Sequence, residues 1–206
     1  MTGVLGFTIQ GRGGAIPGHG GHCRCWIDNS GGVPWSALAG YNFNLVPTAI
    51  DDWGATTSGS LLLSDPFALA NAEKLTVIAT LATAHYKPFW DVGFALLVQG
   101  LQVKEILFAL RPDNVAVLGD MGPMPPFAKP SAGVTVTTVK KGVANIVLGG
   151  VNYGEQTNPG DGDVSTDVTA VSRPGAGTYQ VLFGMFGIYE LNQQRPAALI
   201  VQSVAG

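Results

Sequence analysis

Residues 75–81 read Leu-Thr-Val-Ile-Ala-Thr-Leu, with apolar side chains at every odd position and threonine at two of the even ones. A period of two recurs in the valines and threonines of residues 134–139. It recurs again at residues 179–185, where Tyr, Val, Phe and Met share one face. This alternation is typical of strands with one buried face. With turn residues between such segments, the chain is predicted to be an all-β protein, a jelly-roll β-sandwich of about ten strands.

Two further segments, residues 92–98 and 106–110, are apolar at consecutive positions. A buried helix also gives such a run, but the content of β-branched residues and glycine favours strands. We expect two central strands covered on both faces, by the N-terminal region or by another subunit. One short stretch, residues 67–74, is helix-like.

Glycine dominates the N-terminal region, beginning with Gly11-Arg12-Gly13-Gly14. Such density disfavours an independent core. Residues 1–40 are therefore interpreted as an arm or extended loop laid over the domain or over a neighbour, with a partly flexible terminus as the alternative. Residues 41–206 form the jelly roll in this interpretation.

The chain carries little charge. Of its 206 residues 46% are hydrophobic and 12% are charged, against about 25% in typical soluble domains, and the net charge is −3. We therefore expect a homo-oligomer or assembly subunit whose neighbours cover part of the surface. A secreted monomer with a Thr/Ser/Gly-rich surface is the alternative. The only adjacent cations are Lys140 and Lys141, which argues against nucleic-acid binding.

No apolar run approaches the length of about 20 residues that a membrane-spanning helix needs. Residues 1–10 lack the basic and apolar regions of a secretory signal. The sequence is compatible with a protein that stays in its cell, leaves by lysis or a dedicated machine, or has lost a leader. An extracellular or particle-surface location is favoured by the low charge.

Three segments carry a family resemblance. Residues 51–54 (Asp-Asp-Trp-Gly) precede Ser-Asp-Pro-Phe-Ala-Leu at 64–69, residues 91–97 resemble a central strand, and residues 177–184 with 197–204 resemble two last strands. From residue 44 onward the chain resembles galactose-binding-like jelly rolls, especially secreted bacterial modules found beside sorting-anchor signals. The resemblance implies binding of a ligand or partner by loops at one end of the sandwich, without catalysis.

The densest cluster of metal-binding side chains comprises His19, His22, Cys23 and Cys25. Two imidazoles and two thiols are a ligand set for tetrahedral zinc. The spacing argues against zinc, because neighbouring side chains in Cys-x-Cys do not form the usual paired turn. The alternatives are reduced thiols or a disulfide to a neighbouring subunit.

A second cluster, Asp161, Asp163 and Asp167, lies in a segment flanked by glycine and proline. Carboxylates spaced in this way on a loop are able to bind Ca²⁺ through their oxygen atoms. An acidic, solvated turn is the alternative.

An aromatic segment between strands contains His85, Tyr86, Phe89 and Trp90. Aromatic faces stack on sugar rings or hold an apolar side chain of a partner. This segment is therefore the candidate site for a ligand or partner. The alternative is that Phe89 and Trp90 close one end of the sandwich.

Catalytic motifs are missing from the sequence: it has no Gly-x-Ser-x-Gly, no His-Glu-x-x-His and no phosphate-binding glycine loop. A glycoside hydrolase remains the residual enzymatic class, because its two carboxylates come from distant strands. The leading hypothesis is a non-enzymatic assembly subunit that requires no cofactor. The second is a carbohydrate-binding module, with calcium as an optional aid.

Overall fold

The alternating segments form antiparallel strands in a computed structural model of the chain. The structure describes residues 5–16, 24–41, 57–83, 91–110, 130–142, 146–153, 164–188 and 196–206. In chain order, the elements are β1 (Phe7–Gln10), β2 (Gly13–Ile16), β3 (Arg24–Asp28), β4 (Val33–Pro34), a 3₁₀ helix (Trp35–Gly40), β5 (Thr57–Ser64), β6 (Phe67–Leu69), β7 (Leu75–Thr83), β8 (Asp91–Gln99), β9 (Gln102–Leu110), β10 (Thr135–Gly142), β11 (Ile146–Leu148), β12 (Val151–Tyr153), β13 (Val164–Ser172), β14 (Gly177–Ile188) and β15 (Ala197–Ala205).

Two large antiparallel sheets form a sandwich-like arrangement. The seven-stranded sheet has the order β1-β5-β14-β8-β9, with β4 beside β5 and β6 beside β14. The six-stranded sheet has the order β10-β13-β7-β15-β3-β2, and β11 and β12 form a separate hairpin. The predicted all-β sandwich is confirmed. The predicted count of about ten strands is not confirmed, because several strands of two to four residues lie among the longer ones.

The main core lies between the two large sheets, and the strands with a period of two supply it. The apolar odd positions of residues 75–81 in β7 and of residues 179–185 in β14 are all buried there. Burial of apolar surface contributes about 25 cal/mol per Å², so both rows stabilise the sandwich. The strands predicted at these two places are confirmed.

Strand β8 is buried on both faces, as predicted for residues 92–98. Ala95 and Leu97 face the main core. Phe94 and Leu96 face a second cluster on the outer side of the seven-stranded sheet. The residues that cover this outer side belong to the chain itself: Val33, Trp35, Leu38 and Tyr41.

The other sheet also receives a cover from the chain. The β11–β12 hairpin packs Ile146, Leu148, Val151 and Tyr153 against the outer face of the six-stranded sheet. The covered side chains are those of Trp26, Ala82, Ala198 and Ile200. The hairpin turns through Gly149 and Gly150, whose φ angles of 56° and 80° suit a tight two-residue turn.

The described part of residues 1–40 pairs with strands of both large sheets. β2 and β3 extend the six-stranded sheet beside β15, while β1 and β4 pair with β5 in the seven-stranded sheet. Ile27 in β3 is fully buried in the main core. The division of the chain at residue 40 stays a prediction.

One short element was predicted wrongly. The helix-like residues 67–74 form strand β6, which pairs with β14, and then a turn. The Glu73 carboxylate accepts a hydrogen bond from the Ala70 backbone N–H at 2.7 Å, and Ala72 adopts a left-handed φ of 61°. Pairing with a distant strand therefore outweighs the local helical preference.

Strand β10 confirms the predicted strand over residues 134–139, but its last valine points outward. Val134 and Val136 pack against the main core. Val139 is 55% exposed, because the alternation that starts at Val134 brings Thr138 to the inner side instead.

No helix within the described ranges is long and apolar enough to cross a membrane.

The close approach of β14 to β8 gives a testable prediction. A Cβ atom at Gly184 would lie 2.1 Å from Cζ of Phe94, whose ring is stacked on Phe186. We expect Gly184→Ala to lower the free energy of unfolding in urea by about 1–3 kcal/mol, because the rigid rings must shift. Gly175→Ala is the matched control, since nothing lies within 4 Å of its added Cβ. Equal urea midpoints for both variants would contradict the packing described here.

Candidate functional site

Four strand ends meet at one end of the sandwich. Asp28 ends β3, Thr83 ends β7, Asp91 begins β8 and Ala197 begins β15. The strand register brings them together, because Ala197 lies opposite Thr83 and its neighbour Ala198 lies opposite Asp28. Both carboxylates are only 1% exposed. We call the group formed by Asp28, Asn29, Thr83, Asp91 and Tyr153 the buried polar network.

Asp28 is surrounded by donors. Its Oδ1 accepts hydrogen bonds from the Ser30 backbone N–H (3.0 Å) and hydroxyl (2.9 Å). Its Oδ2 accepts a hydrogen bond of 2.5 Å from the Tyr153 hydroxyl and lies 3.5 Å from Nε of Arg12. A buried carboxylate requires such partners, because the loss of hydration is costly. Asp28 therefore ties the β11–β12 hairpin to β3.

Asp91 links the two sheets. Its Oδ2 accepts a hydrogen bond from the Thr83 hydroxyl at 2.7 Å, and its Oδ1 accepts one from the Asn29 amide at 3.0 Å. The Asn29 side-chain oxygen in turn accepts a hydrogen bond from the Ala197 backbone N–H at 3.1 Å. Asp91 belongs to the seven-stranded sheet, whereas Thr83 and Ala197 belong to the six-stranded sheet. The network therefore fastens the sheets together at this end.

A glycine provides the space for this link. Gly187 lies opposite Asp91 in β14. A Cβ atom at Gly187 would lie 2.3 Å from Oδ1 of Asp91 and 2.7 Å from Nδ2 of Asn29. A side chain at this position would displace the two groups that join the sheets.

The electrostatics of the network keep Tyr153 protonated. Burial raises the pKa of the Tyr153 hydroxyl, and the hydrogen bond to Asp28 and the negative charge of Asp28 raise it further. The nearby Arg12 guanidinium acts in the opposite direction. Tyr153 therefore stays a hydrogen-bond donor, and in this arrangement the two carboxylates act as acceptors that join structural elements.

The predicted aromatic site lies beside this network along the chain. His85, Tyr86, Phe89 and Trp90 lie outside the described residues, so the site stays a prediction. The residues that flank the segment are described, and they are Thr83 and Asp91. Their side chains are hydrogen-bonded to each other, which fixes the two points where the segment begins and ends.

The predicted calcium ligands are only partly described. Asp161 and Asp163 lie outside the described ranges, and Asp167 lies in β13. Oδ1 of Asp167 accepts a hydrogen bond from the Thr80 hydroxyl at 2.7 Å, and Oδ2 lies 2.5 Å from Nζ of Lys141. A cation at Asp167 would compete with this ammonium group. Calcium binding stays a prediction.

Asp167 belongs to a row of polar contacts across the outer face of the six-stranded sheet. Arg24 in β3 donates a hydrogen bond to the Gln202 side chain in β15, and Gln202 donates to the Thr80 hydroxyl in β7 at 3.0 Å. Thr80 continues the row to Asp167 in β13, and Asp167 to Lys141 in β10. Five neighbouring strands are thereby connected by side chains.

The predicted zinc site is also partly described. Cys25 in β3 is 4% exposed and packs in the main core. His19, His22 and Cys23 lie outside the described residues, so zinc binding stays a prediction. Among the residues that the structure describes, no three His, Cys, Asp or Glu side chains are grouped so that they could hold a metal ion.

Sequence reasoning missed the buried polar network. A local sign exists at Asp28-Asn29-Ser30, because an aspartate that accepts a hydrogen bond from the N–H two residues later is a common turn motif. Tyr153 carries no such sign, since Asp28 is 125 residues away, and the partners of Asp91 lie 8 and 62 residues away. No family model, no curated protein and no solved structure matches the chain.

The Tyr153 hydroxyl gives a prediction with a defined pH dependence. We expect Tyr153→Phe to lower the free energy of unfolding at pH 7 by about 1.5–3 kcal/mol, because Asp28 loses a charge-assisted hydrogen bond. In the unfolded chain a tyrosine ionises near pH 10, whereas the raised pKa keeps Tyr153 protonated in the folded state. Wild-type stability should therefore decline as the pH rises above about 10.

Tyr153→Phe should show a shallower decline than the wild type between about pH 9.5 and 11, measured by urea unfolding. Tyr179→Phe is the matched control at pH 7, because it removes a hydroxyl that bonds to the neutral Gly175 carbonyl. Parallel curves for the wild type and Tyr153→Phe above pH 10 would contradict the assignment.

Proposed function

We propose that this chain is a non-enzymatic structural subunit of a larger assembly, built on a jelly-roll domain and located outside the cell or on a particle surface. The observation that carries the proposal is its scarcity of charge. Only 12% of its residues are charged, and the net charge is −3. Two of these charges, on Asp28 and Asp91, are buried. Little electrostatic repulsion therefore opposes the approach of a second subunit.

The exposed apolar side chains support the same proposal. Leu101, Val139 and Val147 are 59%, 55% and 65% exposed. Val139 lies in β10 and Val147 in the β11–β12 hairpin, so two of the three belong to the side of the six-stranded sheet. Single exposed apolar residues are common on monomers. Combined with the low charge, they favour this side as the one that meets a neighbour.

Parts of both outer sheet faces are covered, which leaves fewer surfaces for contacts with a neighbouring subunit. The sequence suggested that another subunit could cover the doubly apolar strands. In the structure the 3₁₀ helix region and the hairpin provide covers from within the chain. Contacts in an assembly therefore involve strand edges and the outer side of the hairpin. The proposed function includes a jelly-roll topology, and the two large antiparallel sheets support it.

Light scattering coupled to size-exclusion chromatography tests this function. We expect species heavier than the 21.3 kDa monomer, with a mass that increases with protein concentration into the high micromolar range. The association should persist in 1 M NaCl, because the Debye length of about 3 Å at that salt removes only charge-dependent contacts. A constant monomer mass over the whole concentration range would overturn the proposal.

A carbohydrate-binding module is the second candidate. The hydrogen bond between Thr83 and Asp91, 2.7 Å long, favours it, because it fixes the two ends of the segment with His85, Tyr86, Phe89 and Trp90. Fixed ends lower the entropy lost when a loop binds a ligand. Val164, which follows the segment with Asp161 and Asp163, pairs with Thr83. A calcium-assisted glycan site would combine these two segments.

A glycan array with and without a chelator tests the second candidate. We expect Trp90→Ala to abolish any signal, because a stacked sugar loses its aromatic partner. Val147→Ala should leave the signal unchanged, as a control for an exposed apolar residue on the hairpin. Loss of signal with chelator would assign a role to calcium. A blank array, in the presence and absence of calcium, would count against glycan binding.

A further inference from the structure

The described strand edges differ in how well they are protected. Strands β1, β2, β4 and β6 have at most four residues each. Among the strands that the structure describes, the two long ones with a neighbour on one side only are β9 and β10. An unpaired strand edge presents rows of N–H and C=O groups to which another strand can bind. The longer edges are therefore the candidates for an interface.

Strand β9 already has partners and charges along its edge. The Ser131 backbone N–H donates a hydrogen bond to the Ile106 carbonyl, and the Ile106 N–H donates one to the Ser131 hydroxyl at 2.9 Å. Lys104 and Glu105 lie in the same strand. Charged side chains and occupied backbone groups protect an edge against a further strand.

Within the described ranges, strand β10 has neither kind of protection over its first five residues. Residues 135–139 read Thr-Val-Thr-Thr-Val, without charge, glycine or proline, and these types favour strands. Thr135, Thr137 and Val139 are exposed in one row on the outer face. An uncharged edge of this kind readily accepts a strand. Its protective features begin only at Lys140, where the register with β13 shifts.

We propose that β10 pairs antiparallel with β10 of a second copy, which joins two six-stranded sheets into one continuous sheet. This inference rests on the proposed function, because it names the partner and contact of the assembly subunit. Antiparallel pairing places the uncharged residues of the two copies opposite each other. It also keeps Lys140 and Lys141 of each copy at opposite ends, whereas parallel pairing would bring the four lysines together.

A two-fold axis at Thr137 gives the pairing its register. Thr137 then faces the same residue of the second copy, and Val139 faces Thr135. The side chains at these three positions point to the same outer face, so the exposed Val139 packs on the methyl group of the opposite Thr135. The register shift between Lys140 and Gly142 marks where the pairing ends.

Disulfide cross-linking tests the contact in the full chain. In a Cys23→Ser background, Cys25 is the remaining native cysteine and lies in the main core. We expect Thr137→Cys to form a covalent dimer on mild oxidation, because the two sulfur atoms meet at the axis. Lys104→Cys, exposed on the β9 edge, is the matched control and should cross-link at least tenfold more slowly.

A charge substitution provides a second measurement. Thr137→Lys would place two ammonium groups opposite each other at the axis, and we expect the dissociation constant to rise at least tenfold in light scattering. At a protein concentration where the wild type is monomeric, the exposed position should leave the urea midpoint unchanged, which shows that the variant is folded. Leu101→Lys, at an exposed turn between β8 and β9, is the control and should leave the association unchanged.

The outcomes separate the two proposals. Association that persists in Thr137→Lys, with no faster cross-linking of Thr137→Cys than of the control, overturns the β10 contact and leaves the assembly function standing. A wild-type chain that is monomeric at every concentration overturns both. Slow exchange, in a monomeric sample, of those amides of residues 135–139 that point away from β13 would show that the chain itself covers this edge, and would also overturn the contact.

Discussion

Strand β8 needs a cover on each of its two faces, and the path of the chain follows from that requirement. Its inner face completes the main core, and its outer face is covered by the segment from β4 to the 3₁₀ helix. This segment follows directly after β3, which belongs to the opposite sheet. The N-terminal region therefore crosses from one sheet to the other. The segment that covers the outer face of β8 thus also connects the two sheets.

The buried polar network lies where this crossing begins. Asp28 is the last residue of β3, and Asn29 reaches both Asp91 and Ala197. Hydrogen bonds with charged acceptors depend on direction, so they fix the position of one sheet relative to the other more narrowly than apolar contacts do. The network also removes two negative charges from the surface of a chain that has few. The network thus orders this end of the sandwich and also lowers the number of charges at the surface.

Local pattern predicted the strands whose alternation is regular, namely β7 and β14, and the double burial of β8. It failed at residues 67–74, because the pairing of β6 with β14 spans more than 100 residues and leaves no local trace. The network was missed for the same reason, since Tyr153 and Asp28 are 125 residues apart. The aromatic, calcium and zinc sites rest on residue types in segments that are wholly or partly outside the described residues, and they stay predictions.

The pairing of the first strands with the last ones has a consequence for synthesis of the chain. Strand β3 needs β15, with Cys25 opposite Val201, and β5 and β8 both need β14 between them. A ribosome releases the N-terminal strands long before these partners exist. Neither large sheet can close until β14 and β15 have emerged, and the strands beside them remain incompletely paired in the meantime. Strands that pair this late are exposed to aggregation for longer than the strands of consecutive hairpins.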